Sequence, residues 1–309
     1  MMKAMKANSM GKTLTIFTPA YNRAHTIGRT YESLCRQTCK DFEWLIIDDG
    51  SSDNTRELVE GWMKENKIPI RYIYQENQGM HGAHNTAYKN IYTELNTCID
   101  SDDWMPDDAV ERIVVFWKNN GSENVAGFMG LDITKEGELI GRAFPKELKK
   151  ITLRGYYEGL RGTGDKKIVY RTSVICSVPE YPIFEGEHYV GLIYKYYMVD
   201  ELFPLLVSND VYVIVDYLDE GSSRGMWRQY WNNPKGFAFL RKFDMQQTHS
   251  WKRLLMDNIH YVSHSIRSRN WRLISESPFP WLTILCVLPG SVLYLLNRSK
   301  VKKAALLKV

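Results

Sequence analysis

Between residues 13 and 117, short runs of β-branched and aromatic residues alternate repeatedly with segments of helical period. Residues 13–18 (TLTIFT), 42–47 (FEWLII), 70–74 and 95–99 read as buried strands, the first of them ending at Pro19. Between them, residues 26–37, 55–65 and 79–92 carry apolar positions at helical spacing, with Asp53 or Asn54 as the N-cap of the second. A further helix is expected after Pro106, a favoured first-turn residue, to about residue 117. Such alternation predicts an α/β fold, a mostly parallel sheet flanked by helices on both faces.

In such sheets ligands bind beyond the carboxyl ends of the strands. Three turns then stand out: Pro19, Ala20, Tyr21 and Asn22; Asp48, Asp49, Gly50 and Ser51; and Asp100, Ser101, Asp102 and Asp103. Two are acidic, and carboxylates crowded at one rim destabilise the fold unless something cationic sits between them. The last turn offers hard oxygen ligands suited to Mg²⁺ or Mn²⁺, which bridge carboxylates to substrate phosphates. Taken alone, it reads equally well as an acidic turn capping the helix after Pro106.

Four segments in register, TPAYNR, WLIIDDGSSDNT, NQGMHGAHN and CIDSDDWMPDD, resemble the catalytic half of family 2 glycosyltransferases of the GT-A fold. The resemblance runs from about residue 13 to 131 and more weakly to about 223. It implies a GT-A, Rossmann-like sheet and a nucleotide-binding set of Pro19, Ala20, Tyr21, Asn22, Asp48, Asp49, Gly79, Asp100 and Ser101, with Asp49 on the base. It also implies a DxD metal site at Asp100 and Asp102, with Asp102 the direct ligand and Asp103 in support, for Mn²⁺ or Mg²⁺. A divalent cation neutralises a diphosphate leaving group without proton transfer. The N–H groups at the start of the helix opened by Gly79 are expected to face that diphosphate. The family often has a basic residue after this glycine; here it is Met80, with His81 and His84 close behind.

An inverting transfer also needs a base for the acceptor hydroxyl. The family places an acidic pair at a helix start well beyond the DxD element, and the matching stretch here is Phe184-Glu185-Gly186-Glu187-His188. Glu187 is the expected base, and His188 the alternative, since imidazole titrates nearer neutrality. A helix-capping Glu187 beside a solvated His188 accounts for the same residues. Residues 162–167 read as a polar loop before a strand at 168–170, and residues 220–225 as a mobile loop whose Arg224, or the nearby Arg228, reaches a diphosphate.

Charge separates the two ends of the chain. After position 240 there are 12 basic and 3 acidic residues; the first 240 hold 28 and 33. Residues 12–240 are therefore expected to form the catalytic domain, and 241–309 a basic, apolar, helical extension drawn to an anionic surface. Within it, 18 uncharged residues at 279–296 are broken by Pro280 and Pro289-Gly290 and flanked by basic residues. That pattern suits a segment lying in or dipping into the membrane interface, with a buried hairpin or a true span as alternatives. Nucleic acid is not an expected partner, because the aromatics do not interleave with the arginines.

Five cysteines without a CxxC pair, and an N-terminus without a signal-peptide core, suggest a cytoplasmic location at the inner face of the membrane. The reading is a metal-dependent inverting transferase that moves a sugar from a nucleotide-sugar, UDP-linked, to a hydroxyl of a surface glycan or lipid-linked glycan acceptor. The alternative is a non-catalytic nucleotide-sugar-binding scaffold of the same fold. A dinucleotide oxidoreductase is disfavoured because no GxGxxG follows the first strand.

Overall fold

The computed structural model describes residues 11–216 and 226–306. The strands are β1 (Leu14–Ala20), β2 (Phe42–Asp48), β3 (Ile70–Tyr74), β4 (Leu95–Cys98), β5 (Gly127–Thr134), β6 (Lys150–Ile151), β7 (Lys166–Arg171) and β8 (Leu205–Val215). The helices are α1 (Ile27–Arg36), α2 (Thr55–Glu65), α3 (Gly79–Asn90), α4 (Ala109–Asn120), α5 (Thr172–Ile175), α6 (Ile193–Asp200), α7 (Met226–Asn232), α8 (Pro234–Gln247), α9 (Trp251–Arg267) and α10 (Pro280–Leu306). Contacts divide the chain into two units, Met1–Glu180 with Lys195–Tyr217, and Tyr181–Tyr194 with Leu218–Val309. The charge boundary at 240 falls inside α8.

In the first unit eight strands form one sheet in the order β3-β2-β1-β4-β7-β5-β8-β6. Pairings β1/β2, β1/β4, β2/β3 and β5/β8 are parallel, while β7 and β6 run antiparallel to their neighbours. The sheet is thus mixed and mostly parallel, flanked by helices. All seven residues of β1 and all seven of β2 are buried, as expected of central strands covered on both faces. Each fully buried Ile or Leu contributes roughly 1.5–3 kcal/mol. Among the polar side chains inside this layer, Glu43 accepts from Arg71 at 2.8 Å and from Thr15, and the Trp44 indole donates to Thr18.

The first strand does not stop at Pro19 but runs on to Ala20. Thr13 and Phe17 offer their carbonyls toward β4, and β4 ends opposite Phe17. Pro19 lies on that same edge, so its missing N–H falls beyond the last residue of β4 and costs no ladder bond. Asn54 gives α2 no side-chain cap, whereas Asp53 Oδ1 accepts from the N–H of Thr55, the first residue of the helix, at 3.1 Å. Asp53 also binds the Thr55 hydroxyl and the Ala24 N–H, tying the first two turns together. Lys166 and Lys167, expected in a loop, belong to β7. The loop at 220–225, including Arg224, lies outside the described residues.

In the second unit, α8, α9 and α10 enclose a separate cluster that includes Met245, Tyr261, Val262, Leu282 and Cys286. The segment expected to be broken by prolines is one continuous helix. Pro280 opens α10, where a missing N–H is harmless, and Pro289 lies inside it. Gly290 marks a close approach rather than a break: a Cβ there would stand 2.5 Å from Val262 Cγ1. Burial follows one stripe, Leu282, Thr283, Cys286 and Gly290, while Trp281, Leu285 and Leu288 are 83%, 74% and 75% exposed. By length and composition Pro280–Val301 could cross a membrane, and a buried hairpin is excluded by its continuity. All five cysteines are free thiols.

Candidate active site

Three turns leave the carboxyl ends of β1, β2 and β4, and hydrogen bonds join the first two. Asn22 adopts the left-handed conformation, φ 55°. Its Oδ1 accepts from the N–H of Ser52 at 2.8 Å and of Asp53, and its own N–H donates to Ser51 Oγ at 2.8 Å. Gly50, at φ +87°, brings the second turn so close to Asn77 that a Cβ would lie 2.9 Å from the Asn77 nitrogen. Pro19 and Ala20 are buried in β1, and Tyr21 at its end is half exposed.

The two aspartates of the second turn are buried and differently engaged. Asp48 accepts from the Ser51 N–H at 2.8 Å and from the Tyr72 hydroxyl, and burial with this bond holds the phenol above its ordinary pKa. Asp49 grips the start of α3, accepting from the N–H of Gln78 at 2.9 Å, the N–H of Gly79 at 2.8 Å and Gln75 Nε2 at 2.7 Å. The Gly79 N–H, expected to face a diphosphate, is thus donated to Asp49. Gln75 was not singled out from the sequence. Its Oε1 is buried and has no hydrogen-bond partner among the described residues.

His81 and His84 are both buried in α3. His84 Nδ1 lies 2.9 Å from the Met80 carbonyl, and burial lowers its pKa to about 4. The ring is neutral at physiological pH and does not replace the basic residue the family often carries there.

The third turn is the acidic one. Asp100 is exposed, Asp102 half-buried, and Ser101 and Asp103 buried. Carboxylate oxygens of Asp100, Asp102 and Asp103 lie within 4.8 Å of one another. Burial, then the charge of Asp100, raises the Asp102 pKa, and the same causes in the same order lift Asp103 to about 8. Three carboxylates this close, one of them with its pKa lifted to about 8 by burial and its neighbours, are a donor set that fits a hard divalent cation. Thr30 Oγ1 fixes the turn by donating to the Asp103 carbonyl at 2.7 Å.

Behind it stand residues the sequence reading passed over. Lys167 Nζ donates to the Cys98 carbonyl at 2.8 Å, at the end of β4. Burial opposes its charge, but Asp132, Asp100 and Asp103 hold its pKa up. Asp132, on β5, is raised to about 6 by burial, against the pull of Lys167. Lys167 is therefore cationic counter-charge on the protein side of the acidic turn. Asp216 follows β8, binds Arg29 at 2.7 Å and Lys135 at 2.8 Å, and donates its N–H to Asp103 Oδ1 at 3.4 Å. These residues sit in register only once β5, β7 and β8 are paired, and no local motif marks them.

Glu187 and His188 belong to the second unit. Glu187 is buried, its Oε1 accepting from the Lys235 N–H and its Oε2 from the Gly236 N–H, each at 2.9 Å. It caps α8, a helix that starts nearly fifty residues later in the chain. His188 is exposed, and its backbone N–H donates to Asn233 Oδ1 at 2.7 Å. Arg228 is exposed on α7.

Comparison with known proteins agrees with this geometry. The glucosyltransferase WfgD of Escherichia coli, named for transfer from UDP-Glc to α-D-GlcNAc-diphosphoundecaprenol, is 32% identical over 131 residues, 42% of this chain and 49% of that one. The chain spans less than half the length of the curated relatives it matches. Residues 1–349 of S. aureus TarS, solved with UDP-GlcNAc, superpose with a TM-score of 0.57 at 17% identity, covering 94% of this chain and 92% of that one. The mannosyltransferase PcManGT of Pyrobaculum calidifontis, solved with GDP-Man and Mn²⁺, gives 0.54 at 15% identity, covering 96% and 80%. These likenesses show the GT-A fold. The model of Glycosyl transferase family 2 matches residues 15–176, just over half of the chain, from the first strand through the acidic turn to the end of α5. The chain belongs to glycosyltransferase family 2.

Proposed function

We propose that this protein is a metal-dependent, inverting glycosyltransferase that moves a sugar from a UDP-sugar to a hydroxyl of a glycan or lipid-linked glycan acceptor in surface polysaccharide synthesis. The observation that carries the reading is the cluster of Asp100, Asp102 and Asp103 at the end of β4, with Lys167 behind it. Asp102 and Asp100, supported by Asp103, would hold Mn²⁺ or Mg²⁺, and the bound ion would neutralise the diphosphate as it departs. The UDP-GlcNAc bound by TarS and the Mn²⁺ and GDP-Man bound by PcManGT support the nucleotide-sugar and the metal. Asp49 holds the base through its carboxylate, and Gln75 positions that carboxylate by donating to it at 2.7 Å. Pro19, Ala20, Tyr21, Asn22, Asp48, Gly79 and Ser101 shape the nucleotide pocket.

Glu187 takes the proton of the acceptor hydroxyl. Two of its lone-pair directions are used by α8, and a carboxylate has about four. His188 is the alternative base. WfgD, whose named acceptor is a diphosphoundecaprenol-linked sugar, supports a lipid-linked acceptor. The exposed apolar face of α10 and its basic flanks support contact with the inner face of the cell membrane from the cytoplasm. Within this reading, residues 12–240 supply catalysis and residues 241–309 the membrane-associated extension.

The capping role of Glu187 favours a second reading, a nucleotide-sugar-binding protein that does not turn over. UDP release with and without Mn²⁺ separates the two. Metal-stimulated release, abolished by Asp102→Ala with a loss of about 10³-fold or more, supports the enzyme. Tight UDP binding without release supports the binding protein.

A further inference from the structure

Within the second unit, α7, α9 and α10 line a cavity of about 450 Å³ that has no part in the site described above. Its walls are aromatic. Trp231 and Tyr294 stack with ring centroids 5.9 Å apart at 12°, and Tyr230 stacks on His264 at 5.7 Å. Among the described residues its charges have one sign: Arg267 and Lys300 line it, and no carboxylate does. Among the described residues neither cation forms an ion pair, and Arg267 Nε is buried without a hydrogen-bond partner. The Arg267 guanidinium lies 4.5 Å from the Trp231 ring centroid, an arrangement that fixes its plane and leaves its edge donors for a ligand. His264 is 4% exposed, its Nε2 has no partner among the described residues, and burial holds it neutral with a pKa of about 3. Asn297 adds an amide to the same wall.

The position of the cavity along α10 selects the ligand. Tyr294 lies near the end of the apolar stretch that exposes Leu285, Leu288, Val292, Leu295 and Leu296, and Asn297 and Lys300 follow directly on it. They stand where apolar residues give way to Arg298 and Lys300, the level at which a membrane helix meets the phosphate layer. We propose that this cavity is a binding site for the phosphate group of a membrane lipid, with Arg267 and Lys300 on the phosphate oxygens and the aromatic walls against the adjoining glycerol or chain. The inference rests on the reading of α10 as a membrane-contacting helix and on nothing about sugar transfer.

The test is flotation of the full chain on vesicles of phosphatidylcholine alone or with phosphatidylglycerol, in parallel with thermal shift by soluble glycerol 3-phosphate. The expected result is a preference for phosphatidylglycerol vesicles that falls about tenfold or more in Arg267→Lys, which keeps the charge but loses the planar fork. Lys300→Gln, on an exposed residue, should reduce it as well. Arg298→Gln removes a charge from the same helix outside the cavity and should cost at most about fivefold, the value of one diffuse surface charge. An unchanged preference in Arg267→Lys, with equal losses in Lys300→Gln and Arg298→Gln, overturns the site in favour of diffuse attraction. Absence of binding to either vesicle, with an Arg267-dependent shift by glycerol 3-phosphate, overturns the lipid and the membrane reading but leaves a phosphate site. No vesicle binding and no shift overturns both.

Discussion

At the scale of single residues, the acidic turn controls how a cation arrives. With Asp103 lifted to about 8, the carboxyl is protonated over most of the physiological range and must give up its proton to ligate. A cation therefore displaces a proton, and its affinity should rise with pH by up to about tenfold per unit until about pH 8, then level off. Calorimetric titration of Mn²⁺ from pH 6 to 9 checks this; a flat profile would mean that Asp103 gives up no proton on binding. The same group makes the cation-free fold lose stability as pH climbs from the ordinary carboxyl range through 8, since the folded state binds the extra proton. Asp100, Asp102 and Asp103 were legible because all three sit within four consecutive positions after a strand. Lys167 and Asp132 were not, because one lysine at a strand start and one aspartate in an apolar run have ordinary explanations. Their meeting depends on the pairing of β5 with β7, which no local pattern encodes.

At the scale of elements, the period of apolar residues located β1–β4 and α1–α4 to within a few positions, because each buries a face at fixed spacing, and it caught the middle of β7; β5, β6, β8, α5 and α6 went unread. Prolines and glycines were harder to place. Pro19 was read as a strand end and Pro289-Gly290 as a helix break, yet β1 continues past Pro19 because its neighbour β4 is short, and α10 continues past Pro289, with Gly290 serving the crossing at Val262. Gly290→Leu should destabilise the second unit by roughly 1–3 kcal/mol through overpacking while leaving nucleotide binding intact. Chemical denaturation beside a UDP binding isotherm measures both. Glu187 holds α8 as well as being the proposed base, and the two roles separate in one variant. Glu187→Gln should lower stability by about 1 kcal/mol for the weakened cap and slow single-turnover transfer by about 10²–10⁴-fold for the lost base. A stability loss without a rate loss reduces Glu187 to a capping residue.

At the scale of the whole molecule, basic residues gather on the helices of the second unit, but the charge boundary at 240 falls inside α8 while contacts part the chain at 217. Composition could not reveal that residues 181–194 join that unit from within the earlier sequence; only packing does. Replacing Trp281, Leu285 and Leu288 together by Glu alters only exposed positions and spares the stripe at Leu282, Cys286 and Gly290. Such a protein should move from the membrane pellet to the supernatant while its melting temperature changes little, and a variant that still sediments with membranes would remove the helix from that role. The narrow stripe has a further consequence. If α10 meets the bilayer as proposed, its exposed apolar sides tie the protein to a surface, so bilayer area sets a ceiling on how many copies a cell can carry, and any excess would clump.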